Sequence, residues 1–288
     1  MERHTKSYLR LIKPGITISN TLSGIAGFFL AASFIPFSLT AFIGATFGIA
    51  LIIASACVAN NILDSDIDKR MKRTLKRGVA NGSITIPRAL AFSAVLGVAG
   101  FALLVLWTNP LTVLLGGIAY VWYVAIYGIA KRTTAYSTLI GGVAGALPPV
   151  AGYTALTGRI DAAAIILFVI LFLWQVPHFY AIAIFPRDVY KEAELPIWSV
   201  RYGMKSAKFQ ILLTVILYAV SVILLTLAGY TGIIYLVASA ALALYWVYKG
   251  ISKYKEGGYV KWARMMFGIS LLVLLAQLAL IAAGGYLP

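Results

Sequence analysis

The sequence predicts an all-α protein of the membrane, a polytopic bundle of nine transmembrane helices. Three observations carry this reading. Of the 288 residues, 61% are hydrophobic and 11% charged, where a soluble globular domain holds about 45–50% and about 25%. Nine apolar runs are each long enough to cross about 30 Å of hydrocarbon, which takes roughly 20 residues at helical rise. The basic residues between those runs also alternate from one connection to the next.

Taken in order, the first run, near 14 to 34, follows Arg3, Lys6, Arg10 and Lys13. A charged start of that kind opens signal peptides, but this run is too long for one and a second follows at once, so it is a retained anchor. The second, near 38 to 59, leads into the acidic and basic stretch CVANNILDSDIDKRMKRTLKR at 57 to 77. The third and fourth, near 89 to 107 and 111 to 130, are joined by a link without Lys or Arg. Pro148 and Pro149 interrupt the fifth, near 138 to 156, and Pro177 loosens the sixth, near 162 to 185. The remaining three lie near 208 to 229, 232 to 248 and 265 to 286. No low-complexity tract or Pro/Ser-rich linker divides the chain, so residues 1–288 are expected to form a single domain with cytoplasmic loops near 60–88, 131–137, 186–207 and 249–264.

The net charge of +15 would point a soluble protein toward nucleic acid. Here alternate connections hold 23 of the 24 basic residues, and only Arg159 falls on the other side. Under the positive-inside rule this puts the amino terminus and the long loops in the cytoplasm and the carboxyl terminus outside, in the cell membrane. Topology thus accounts for the charge, and no nucleic-acid partner is expected. Cys57, as the lone cysteine, closes no internal disulfide, and two histidines with one cysteine build no four-ligand structural zinc site. Eight of the nine acids lie on the basic side and none at midplane depth. A transporter would carry ionisable groups there.

Asn60, Asp64 and Asp68 are spaced i, i+4 and i+8, so on a helix continuing from the second span they share one face. Asp66 points elsewhere, where Arg70 at i+4 is its expected partner. Two carboxylates about 4–6 Å apart repel by a few kcal/mol at an effective dielectric near 20 unless a cation lies between them. Magnesium suits the trio, since it accepts one or two carboxylates and completes its octahedron with water and phosphate oxygens. The cluster Lys69, Arg70, Lys72, Arg73, Lys76 and Arg77 would draw a diphosphate to the same place. The competing reading is a solvated, salt-bridged helix end.

These residues fit the NxxxDxxxD motif of the UbiA superfamily of intramembrane prenyltransferases. The strings NNILDSDIDKRMKRTLKR, KRTTAYSTLIGG at 131 to 142, LPPVAGYTALTGRID at 147 to 161 and LFLWQVPHFYAIAIF at 171 to 185 resemble its haem O synthase branch more closely. The resemblance implies transfer of a farnesyl group from farnesyl diphosphate to a vinyl group of haem b, with addition of water, in the lipid bilayer and alongside haem-handling membrane partners. It implies Mg2+ on Asn60, Asp64 and Asp68, diphosphate charge held by Arg73, Arg77, Lys131 and Arg132, and Asp188 as a further catalytic acid. Quinone-type relatives carry a second DxxxD motif at that place, whereas here Asp188 is followed at i+4 by Glu192. Arg77 is followed by Gly78 where the branch usually has proline. A haem-side pocket of His178, Trp174, Gln175 and Tyr123 is implied as well; His178 is either a satisfied polar group or, on the haem side, a ligand to iron or an aid to proton transfer from the trapping water. Tyr120, Trp122, Tyr123, Tyr127, Tyr136 and Tyr153 are candidates to shield an allylic cation or to form an interfacial belt. The alternative within the superfamily is a prenyltransferase acting on an aromatic quinone precursor such as 4-hydroxybenzoate.

Overall fold

The structure, a computed structural model, describes residues 2–70, 74–251 and 258–288, with backbone only for residues 2–6 and 70. Its elements run α1 (Glu2–Leu11), α2 (Pro14–Ala32), α3 (Leu39–Leu63), α4 (Ser65–Arg70), α5 (Ile86–Trp107) and α6 (Pro110–Val121), then a π turn (Trp122–Ile126). There follow α7 (Tyr127–Thr133), α8 (Ser137–Thr157), α9 (Ala162–Ile184), α10 (Arg187–Glu192), α11 (Trp198–Arg201), α12 (Gly203–Leu227), α13 (Ile233–Ile251) and α14 (Tyr259–Gly284). Among the described residues nine helical stretches are long and apolar enough to cross a membrane, with α6, the π turn and α7 forming one of them. The chain is a multi-pass membrane protein.

Several spans start where a side chain or proline settles the orphan donors of the first turn. Ser38 accepts from the Ala41 N–H, Asn109 from the Thr112 N–H, and Asp161 from those of Ala163 and Ala164. Pro14 and Pro110 stand at first helical positions, where a missing N–H costs nothing. Because the helices are apolar nearly all round, patterning alone does not choose neighbours; close packing of small residues does. The nine spans form a closed ring in the spatial order α5, α3, α2, α14, α13, α12, α9, α8 and α6, with α2 against α8 and α9 against α14 packed across it.

The α2–α8 crossing is the tightest. A Cβ on Gly152 would overlap the Gly24 carbonyl, and one on Gly27 would overlap that of Pro149. This contact explains a departure from expectation: α8 is not interrupted at Pro148 and Pro149 but runs unbroken from Ser137 to Thr157, and α9 likewise runs through Pro177. Prolines are tolerated inside spans where neighbouring helices pack closely on the altered backbone. We expect Gly152→Val to lower stability by about 3 kcal/mol or more, because the collision is with backbone and not with a movable side chain. Unfolding in a graded detergent–SDS series measures this, and an unchanged midpoint would contradict the packing.

The second span also ends sooner than its pattern suggests. The helix does not continue directly through 77; α3 stops at Leu63, Asp64 turns with φ −88 and ψ 0, and α4 resumes at Ser65. The register survives the break, since the Asp64 N–H donates to the Asn60 carbonyl and the Asp68 N–H to that of Asp64. Beyond it, the turn at 74–84 is pinned by a small core in which Val79 and Ile84 pack with Leu11, Val58 and Ala89. At Gly78, where the resemblance leads one to expect proline, the carbonyl accepts from the Ile84 N–H.

Candidate active site

At the end of the bundle bearing the basic loops, a cavity of about 410 Å³ opens between α2, α3, the α6–α7 span, α8 and α9. Asn60, Asp64 and Asp68 line its α3–α4 wall and are buried, at 2%, 7% and 2% exposure. Acids are almost never that buried without partners, and here each motif residue has a cation of its own. Lys131 donates to Asp64 Oδ2. Arg77 Nη1 donates to both oxygens of Asp68, at 2.8 and 2.7 Å. Lys13 Nζ donates to Asn60 Oδ1 at 2.8 Å. Two buried atoms of the motif are without a hydrogen bond, Asp64 Oδ1 and Asn60 Nδ2; Arg132 Nη2 stands 3.7 Å from the former.

Local structure explains these placements. Lys13 lies between α1 and α2 with left-handed backbone, φ 49 and ψ 70, directly before Pro14. That conformation is disfavoured for a branched-off side chain and for a pre-proline residue, and strain of about 1–3 kcal/mol of this kind clusters at functional sites. Desolvation in the cavity wall lowers the Lys13 ammonium to about 8, helped by the positive charges of Arg77 and Lys131 and opposed by Asp64. Lys131 is carried on α7 beyond the π turn, an element frequent at functional sites. Tyr123, Tyr127 and Lys131, at i, i+4 and i+8 through that turn, all face the cavity. Their rings stack at 5.5 Å and 23°, with Lys13 Nζ 5.9 Å from the Tyr123 centroid and Lys131 Nζ 5.6 Å from that of Tyr127.

Other expected site residues are placed differently. Asp66 pairs with Arg132 at 2.8 Å, and the Arg132 guanidinium holds its carboxyl well below the usual carboxylate range; the expected partner Arg70 has its side chain outside the described residues. Arg132 also donates to the Leu63 carbonyl, so it braces the helix break and stands at the edge of the site. Arg73 lies outside the described residues. Asp188 and Glu192 are exposed on α10, and the cavity wall there is made by Tyr190, Leu195 and Ile197. The six residues of α10 turn Tyr190 inward and leave Asp188 facing out.

On α9 the four haem-side candidates separate. Gln175, Phe179 and Ile182 recur at i, i+4 and i+7 and line the cavity, as Tyr123 does from the opposite wall. His178 and Trp174 lie round the helix against α14: their rings stack at 4.8 Å, Trp174 Nε1 donates to the Ser270 carbonyl, and His178 Nδ1 is 2.7 Å from Ser270 Oγ. Ser270 Oγ spends its own proton on the Phe267 carbonyl at 2.6 Å. With that bond made, His178 Nδ1–H would be the donor to Ser270 and Nε2 would keep its lone pair. Of the aromatic candidates, Tyr120, Tyr123 and Tyr127 line the cavity. Trp122 is turned to the Ile140 carbonyl, Tyr136 stacks edge-on with Trp198, and Tyr153 is bound to Asp161 at the opposite end of the span.

The profile of the UbiA prenyltransferase family matches residues 21–281. The chain belongs to this family. It is 42% identical to protoheme IX farnesyltransferase 2 of Pseudomonas putida over 273 residues, which is 94% of this chain and 92% of that protein. Among solved structures it is similar in fold to a digeranylgeranylglyceryl phosphate synthase, with a TM-score of 0.79 at 21% identity over 99% of both chains. It also resembles a UbiA homolog from Archaeoglobus fulgidus bound to GPP and Mg2+, with a TM-score of 0.73 at 16% identity over 96% of this chain and 99% of that one.

Within this UbiA-type cavity, sequence reasoning overlooked Lys13, which it counted only as topology charge, and Cys57, Thr74 and Tyr190 in the lining. The available signal for Lys13 was its place immediately before Pro14 at the mouth of the first span.

Proposed function

We propose that this chain converts haem b to haem O, transferring a farnesyl group from farnesyl diphosphate to a porphyrin vinyl group with addition of water. We further assign residues 1–288 to one catalytic domain in the cell membrane, with the amino terminus and the basic loops cytoplasmic and the carboxyl terminus outside. The 42% identity to a protoheme IX farnesyltransferase supports the acceptor. The single observation that carries the prenyl-transfer half is the buried row of Asn60, Asp64 and Asp68 on one cavity wall, each already engaged by a cation.

The donor set suits Mg2+: two carboxylates and an amide oxygen, with Asp64 Oδ1 buried and unpartnered. An A. fulgidus UbiA homolog bound to GPP and Mg2+ supports the same assignment by likeness of fold. Held on Asn60, Asp64 and Asp68, the ion supplies Lewis-acid neutralisation of the leaving diphosphate. The chain's own part is electrostatic. Lys13, Arg77 and Lys131 exchange their carboxylate and amide partners for diphosphate oxygens and hold the charge that grows as the allylic C–O bond breaks. The stacked faces of Tyr123 and Tyr127 border the space where the allylic carbon becomes positive, a cation–π arrangement that also keeps water away. The vinyl carbon forms the new C–C bond, water adds to the resulting cation beside the porphyrin, and a proton is released. No residue need attack covalently.

We assign His178 to the haem side, a reading supported by the likeness to a protoheme IX farnesyltransferase and not by the cavity lining. Its exchange for alanine should reduce haem retention without altering donor-diphosphate binding; unchanged haem retention and unchanged product would remove it from the site. The experiment for the function as a whole is mass spectrometry of haems from a host lacking haem O that expresses this chain. A haem heavier by a hydrated farnesyl group is expected. A prenylated 4-hydroxybenzoate with unmodified haem would refute the reading.

A further inference from the structure

Resting on the prenyl-transfer reading, the geometry points to a narrower statement: we infer that this cavity takes its donor as a one-magnesium diphosphate, with Lys13, Arg77 and Lys131 standing where a second ion would otherwise be needed. Two independent observations lead there. The first is the placement of oxygen donors. Among the described residues, Asp64 and Asp68 are the carboxylates lining the cavity, both on its α3–α4 wall. The facing wall offers Ile182, Ala183, Leu195 and Ile197, with the uncharged Gln175 and Tyr190, while Asp188 and Glu192 are exposed outside it. A second ion would have no anionic ligand of the protein on that side.

The second observation is charge. Among the described residues, three cations meet two carboxylates in the wall, leaving one positive charge. With a terminal phosphate that titrates like phosphoserine's, a diphosphate monoester carries about three negative charges. One Mg2+ brings this described set of charges to neutrality with the diphosphate, whereas two leave a surplus of two positive charges in a buried space, which is unfavourable. The same pairs predict how the ion enters. A metal arriving alone must compete for oxygens already held by Lys131, Arg77 and Lys13, and the displaced cations gain nothing. Arriving with diphosphate, it leaves each displaced cation a phosphate oxygen to bind. The vacant acceptor Asp64 Oδ1 marks where the metal first lands, and the unpartnered Asn60 Nδ2 is a donor left over for the ligand. Metal and diphosphate therefore bind with positive coupling, reciprocal by linkage.

The test uses the full-length protein in detergent, Mn2+ as the probe ion read by its free-ion paramagnetic signal, and farnesyl thiolodiphosphate, a slowly cleaved donor analogue. No haem is present, so failure of the acceptor assignment cannot affect the result. Expected are one Mn2+ per chain, about tenfold or more tighter with the analogue than without, and the same factor in the analogue's own affinity. Arg77→Ala should bind Mn2+ alone several-fold more tightly, because a competitor for Asp68 is gone, and the analogue about tenfold more weakly. Two Mn2+ per chain, or equal Mn2+ affinity with and without the analogue, overturns this inference and leaves prenyl transfer standing. Absence of analogue binding under every metal condition overturns both.

Discussion

Asp64→Ala and Asp68→Ala should each reduce turnover by about 10³-fold or more while the protein still inserts. A metal acting as Lewis acid contributes several kcal/mol to the transition state, and each 1.36 kcal/mol is about tenfold in rate. The two residues fail for related reasons. Without Asp64 the site loses its one unpartnered carboxylate oxygen and frees Lys131. Without Asp68 it loses the bidentate anchor of Arg77. Because either change leaves a partly buried cation unpaired, some loss of stability is expected too. Asp68→Asn keeps the shape but offers Arg77 one acceptor oxygen in place of two, so a loss of rate in that variant far beyond what its shift in unfolding midpoint accounts for separates chemistry from folding. Pyrophosphate release under single-turnover conditions measures the rate. Activity within tenfold of the parent in either alanine variant would contradict the assignment.

Lys131→Ala comes next, with an expected loss of about 10²–10³ in the rate of the chemical step and a smaller change in donor affinity. Electrostatic groups aimed at developing charge act mainly on the transition state, and removing one typically costs that much. Lys131 reaches the site because the π turn keeps Tyr123, Tyr127 and Lys131 on one face, and its ammonium sits over the Tyr127 ring as well as on Asp64. Lys131→Arg should not restore the full rate, since the guanidinium is larger and planar in a position shaped for a point charge. Equal falls in affinity and no fall in the single-turnover rate would make Lys131 a binding residue only.

Much of this was legible in the sequence, for identifiable reasons. The nine spans follow from run length and charge alternation, and both depend on the bilayer as solvent more than on packing. The motif face was legible because i, i+4, i+8 spacing survives a one-residue turn at Asp64: the backbone bonds from Asp64 to Asn60 and from Asp68 to Asp64 keep the register. What was not legible depends on tertiary contacts. Lys13 acquires its place through a left-handed backbone that its position before Pro14 does not by itself fix. Pro148 and Pro149 read as an interruption, yet the close approach of α2 lets α8 pass straight through them. Arg132 reaches Asp66 because α7 brings it within 2.8 Å from far along the chain. Asp188 and His178 were expected at the site on resemblance, and which way each turns is set by the short α10 and by Ser270 on α14, neither of which spacing reveals.

The central claim is that Asn60, Asp64 and Asp68 hold the ion that receives the departing diphosphate. Anomalous scattering from crystals of the protein grown with Mn2+ and farnesyl thiolodiphosphate tests it most directly. The account predicts a single peak bounded by those three side chains, about 2.0–2.2 Å from their oxygens, and shared with the diphosphate. A peak beside Asp188 and Glu192, or a diphosphate bound away from the α3–α4 wall, would contradict it.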